Sequence, residues 1–221
     1  MFAAPVETKE TQITRVENNG HAMAPYMMSV ALWVGCIAFS LMYPLTKYSG
    51  KLKSGLAWWG SKASVLYLIA LLQAAVMIFM LHLCDGFEPV EMGKTLAVAC
   101  LASVAFMSVM YFFTNTFGKV GSFLMLVFMV IQLAGSVGTY PLELSGSFVP
   151  YLHDWVPFTY TVEAFRSTIS GGESIQEAVI FLTVLWIVFT LLTILEFQIR
   201  TLKMKRGKRT LDNWLEEKGL A

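Results

Sequence analysis

Five apolar blocks, each close to the length of a bilayer core, constrain this chain more than any other feature. They run over 26–44, 65–84, 95–114, 120–138 and 177–197. A hydrocarbon core about 30 Å thick takes roughly 20 apolar residues of helix. Backbone polar groups inside it must be bonded within the segment, which a helix achieves alone. The chain is 56% hydrophobic and 14% charged, where soluble domains carry about 25% charged residues. The blocks predict an all-α integral membrane protein with five transmembrane helices. Trp33, between Tyr26 and Tyr43, supports the short first span, since aromatic residues favour the membrane interface.

The charges between the blocks set a direction. Residues 46–62 carry Lys47, Lys51, Lys53 and Lys62 and no acid, and Lys119 sits in the tight link between the third and fourth spans. The tail over 200–221 begins with Arg200, Lys203, Lys205, Arg206, Lys208 and Arg209. The loop after the second span is acidic, with Asp85, Glu88 and Glu91. With five spans the basic segments share one side and the acidic loop lies on the other. The positive-inside rule then predicts the N-terminus outside and the C-terminus in the cytoplasm. Residues 1–25 read as an extracytoplasmic tail without a basic, then apolar, cleavable leader. The basic tail is expected at anionic lipid.

Two stretches are too polar to span and too apolar for ordinary loops. In 46–62 the residues Tyr48, Leu52, Leu56 and Trp59 fall on one helical face, predicting an amphipathic cytoplasmic helix along the membrane. Residues 140–172 are divided by Pro141, Pro150 and Pro157. From Phe158 an apolar stripe runs through Val162, Phe165 and Ile169, with Pro157 suited to the first turn and Gly171-Gly172 to the stop. Glu163 and Arg166 are spaced to pair on the opposite face. This predicts an outer re-entrant hairpin of two short helices; a plain surface hairpin is the other reading. Gln73 and Gln132 lie within spans, and Ala70 and Ala74 form a small-xxx-small face, a pattern that serves helix packing.

Catalytic and cofactor signatures are missing. Gly93-Lys94-Thr95 ends like a phosphate-binding loop, but the glycine needed five residues earlier is Glu88. Cys36, Cys84 and Cys100 lack metal-ligand spacing, and His153-Asp154 reads as a helix-end pair. No enzyme activity, cofactor, metal or nucleic-acid partner is expected.

The order of elements resembles the permease fold of type-2 ABC transporters. More closely, the chain is similar to the C-terminal membrane domain of the phage-infection-protein (Pip/YhgE) family. The resemblance rests on Met23-Ala24-Pro25-Tyr26-Met27, Leu32-Trp33-Val34-Gly35, Tyr140-Pro141-Leu142-Glu143, Val156-Pro157-Phe158-Thr159-Tyr160, Ala164-Phe165-Arg166 and Ile169-Ser170-Gly171-Gly172. It implies a multi-pass protein of the bacterial inner membrane. Members of that family carry a further span and a large extracytoplasmic domain ahead of this region, so the chain resembles a C-terminal half. In the wider superfamily the segment at 46–62 docks an ATPase, which assigns Leu52, Leu56, Trp58 and Trp59 to a partner-docking helix. Pro141, Glu143, Pro157, Tyr160 and Arg166 become candidates for an outer gate.

The expected function is a permease-like subunit for export or membrane translocation. Its expected partners are membrane lipids, a second permease half (a homo- or hetero-oligomer) and a separate cytoplasmic ATPase. The alternative is a non-transporting receptor or scaffold, used in phage adsorption or secretion. An ATPase recovered with the 46–62 segment would separate the two.

Overall fold

The computed structural model describes residues 19–45, 54–136, 149–172 and 174–205. Among them are seven helices: α1 (Asn19–Met42), α2 (Gly55–Asp85), α3 (Met92–Phe117), α4 (Lys119–Gly135), α5 (Val149–His153), α6 (Pro157–Ser170) and α7 (Gln176–Lys205). Four of these, α1, α2, α3 and α7, are long and apolar enough to cross a membrane. The fourth expected span, α4, is shorter at 17 residues. At 1.5 Å per residue it covers about 25 Å, a little less than a bilayer core.

The bundle is built around α3, which touches α1, α2, α4, α6 and α7. Its apolar window is 67% buried, against 17% for α7, so α3 is the axis and α7 faces outward. Ala99, Ala102, Ser103, Ala105 and Ser108 are small and buried, and they let neighbouring backbones come close. Ala70 and Ala74 are fully buried as well. Their small side chains serve packing within the chain rather than a face left open for a second copy.

Local chemistry fixes the ends. Ser54 is extended and its hydroxyl accepts from Ala57 N at 3.1 Å, opening α2. Gly86, at φ 64°, closes α2 in the left-handed conformation. α6 starts with Pro157 in its first turn and stops at Gly171, where φ is 73°. Ser174 Oγ accepts from Gln176 N at 3.3 Å at the start of α7. The Lys62 ammonium donates to Pro44 O at 2.7 Å, placing a cation at the end of α1, where the helix dipole favours one.

The structure corrects the segment before the second span. Residues 55–62 are the opening turns of α2, which runs unbroken for 31 residues, about 46 Å. A helix that long exceeds the thickness of a bilayer core. The described part of 46–62 is therefore continuous with α2, and no separate helix forms within it. α1 begins at Asn19 and carries Pro25 within it, ahead of the expected start at 26. α7 likewise continues past 197 to Lys205, so Arg200 belongs to the bundle and not to a solvated tail.

Candidate functional site

The expected docking residues divide. Trp58 is 4% exposed, with its ring edge-on to Phe197 at 4.8 Å, so it holds α2 against α7 and offers nothing to a partner. Trp59 is half-buried, and its carbonyl accepts from Tyr111 Oη at 3.4 Å. Leu56 is exposed. Leu52 lies outside the described residues, as do Pro141 and Glu143 of the expected gate.

The remaining gate residues sit on α6, whose position is informative. At its start, Phe158 packs on Phe106 and Trp33 at ring distances of 5.8 and 5.6 Å, near the middles of α3 and α1. At its end, Ile169 O and Thr168 O accept from Val90 N and Glu91 N, both at 3.1 Å, in the link between α2 and α3. α6 thus climbs from mid-bundle to the α2–α3 end. Its buried face carries Phe158, Val162, Phe165 and Ile169, the stripe visible in the sequence. Pro157 is buried. The Tyr160 ring stacks on Phe181 at 3.8 Å, and its hydroxyl donates to Asp154 O at 3.0 Å. Arg166 is exposed. Glu163, expected to pair with Arg166, has His153 Nε2 at 3.7 Å. His153 Nδ1 lies 2.9 Å from Gly135 O and 3.3 Å from Thr159 Oγ1, which ties the end of α4 to α6. His153 thus serves as a joint, consistent with the helix-end reading of the sequence.

Two polar clusters join helices within the bundle. Gln73 Nε2 lies 2.6 Å from Ser103 Oγ, 3.1 Å from Cys36 Sγ and 3.2 Å from Leu32 O; Ser103 Oγ donates to Ala70 O at 2.6 Å. Three helices meet there around one amide, and the Gly35 backbone leaves room for the amide oxygen. Gln73→Leu is expected to cost about 1 kcal/mol, the scale of interhelical hydrogen bonds in membranes, read as a lower unfolding midpoint in detergent. At the opposite end from the α2–α3 link, Glu196 Oε2 accepts from Thr116 Oγ1 at 2.7 Å and Glu196 Oε1 from Arg200 Nη2 at 2.7 Å. The i, i+4 spacing of Glu196 and Arg200 was the available sequence signal; the contact with α3 had none. Gln132 is buried, with both amide atoms unpartnered among the described residues.

The family model described as "ABC-2 family transporter protein" matches residues 2–195. The chain belongs to the ABC-2 transporter family. Its ABC-2 domain is 35% identical over 173 residues to the protein YhgE of Bacillus subtilis (strain 168). That alignment covers 78% of this chain and 22% of YhgE, so the chain spans less than a quarter of that relative's length. No solved structure matches. The resemblance to the Pip/YhgE family and to type-2 permeases is thus shown, and the chain is an ABC-2 membrane domain.

Proposed function

We propose that this ABC-2 domain is the membrane subunit of a system that exports a substrate or moves a lipid-like molecule, driven by a separate ATPase. The placement of α6 carries the reading. A helix that begins at mid-bundle and ends at one face needs breaks at membrane depth, which only protein or a water-lined cavity tolerates. Such an element suits the closure of a path from one side. In this reading α5 and α6 form the re-entrant hairpin, and α4 completes a set of five crossings. Glu88 and Glu91 face outside, and Lys119, Lys203 and Lys205 face the cytoplasm of a bacterial inner membrane. The subunit works with a second half, the same chain or a related one.

The docking surface for the ATPase is then Leu56 with the segment before it, without Trp58. The test is purification from native membranes with an ATP-hydrolysis assay. Wild-type chain is expected to bring down vanadate-sensitive ATPase activity, and Leu56→Glu to lose most of it. If neither protein carries such activity, the permease reading fails and the receptor or scaffold reading takes its place.

A further inference from the structure

Where the last turns of α6 meet the start of α7, beside the first turns of α1, there is a cavity of about 890 Å³. That lies within the size range of small-molecule sites. Among the described residues its charged lining consists of Glu163 and Arg166 from α6 and Glu177 from α7. Ser167, Ser170 and Ser174 add hydroxyls. Pro25, Ala164, Ile175 and Ala178 add aliphatic surface to the lining. The Tyr160–Phe181 stack lies one turn below, three residues before Glu163 and four after Glu177, and closes the seam between α6 and α7.

The mixture of charges selects the ligand. A simple anion that reached Arg166 would meet two carboxylates. A simple cation held by those carboxylates would meet the guanidinium. A ligand bearing both charges a few bonds apart can meet all three groups, with Glu163 shared with His153 Nε2 at 3.7 Å. Arginine presents a planar fork that binds phosphate through two hydrogen bonds, and an ammonium can donate to two carboxylates at once. We propose that this cavity binds a phosphoethanolamine zwitterion, with its phosphate on Arg166 and its ammonium between Glu163 and Glu177. The aliphatic residues of the lining suit the acyl chains of a lipid bearing that headgroup. This deepens the permease reading by naming a ligand class at the end of the bundle where α6 emerges. Binding requires no ATPase, so it fails or holds independently of the transport reading.

The test uses the purified full chain in mild detergent, with the unfolding midpoint followed as ligand is added. The probes are short-chain phosphatidylethanolamine, short-chain phosphatidylglycerol and free phosphoethanolamine. Phosphatidylethanolamine is expected to raise the midpoint saturably and phosphatidylglycerol, which lacks the ammonium, is not. Arg166→Gln and Glu177→Gln should each weaken the apparent affinity about tenfold, the scale of one charge-assisted hydrogen bond. Both positions are exposed, so the variants should fold, and Lys119→Gln at the far end serves as a charge control. Saturation by free phosphoethanolamine at similar concentrations would support the site with a soluble zwitterion as its source; a response to the lipid alone would support a lipid source. Equal stabilisation by phosphatidylglycerol, no stabilisation by either zwitterion, or full affinity in both variants would overturn the proposal.

Discussion

Gly121→Leu is expected to force α3 and α4 apart and to cost about 3 kcal/mol, the upper end of ordinary overpacking. The two helices are joined by one residue, Gly118, at φ 58° and ψ −135°, a backbone conformation that glycine adopts without a Cβ clash. α4 must therefore fold back at once. Three residues later, Gly121 lies against the Phe113 backbone, and a Cβ there would run into the Phe113 carbonyl. A flexible side chain could turn away, but a helix carbonyl cannot, so the helices themselves must shift. The shift would also stretch the Thr114–Ser122 hydroxyl contact, now 3.1 Å. Gly60 is the internal control. Nothing lies within 4 Å of its would-be Cβ, so Gly60→Ala should be neutral or stabilise by up to about 1 kcal/mol through helix propensity. Unfolding midpoints of the two variants, measured in one detergent, decide the matter. Equal midpoints would mean that the α3–α4 contact is looser than described.

The sequence could not rank the helices by their place in the bundle. Lipid tails are as apolar as leucine, so a helix at the centre and one facing lipid have similar hydropathy. The small residues of α3 distinguished it, yet Ala70 and Ala74 of α2 carry the same signature. The amphipathic stripe ending at Trp59 had a similar ambiguity. It suits a helix on the membrane surface, and it equally suits a spanning helix that continues past the bilayer with one side against a neighbour. Neither suits what is seen: Leu56 on the stripe is exposed, and the residue packed on a neighbour is Trp58, off the stripe, against Phe197, a contact across 139 positions that no local pattern encodes. By contrast, α6 was legible from its start to its stop. Its stripe, Pro157 and Gly171 are local rules, and each gave the observed feature. What the local rules left out was its depth in the bundle, because depth depends on Trp33 and Phe106, which lie on other helices.

Arg200→Met is expected to destabilise the bundle by about 3 kcal/mol, the lower end for breaking a buried ion pair by removing one partner. Arg200 is 6% exposed, and one of its nitrogens donates to both Glu196 Oε1 at 2.7 Å and Asn115 O at 2.9 Å. Glu196 in turn accepts from Thr116, so the pair fastens α7 to the last turns of α3. Removing the cation leaves Glu196 with a hydroxyl partner and no counter-charge among the described residues. Its side chain is 19% exposed, which lets some water in and keeps the expected cost at the lower end. The pair contributes less than this single loss implies, because bringing two charges out of water offsets much of their attraction. The double variant Glu196→Leu/Arg200→Met should therefore recover most of the loss and come within about 1 kcal/mol of wild type. Leu at 196 cannot accept from Thr116, but that hydroxyl also lies 2.7 Å from Phe112 O and can donate its one proton there instead. Unfolding midpoints of the wild type, the two single variants and the double variant complete the cycle. If Arg200→Met falls within about 0.5 kcal/mol of wild type, the range of an ordinary surface substitution, Arg200 is solvated at the membrane face and the α3–α7 fastening is not electrostatic.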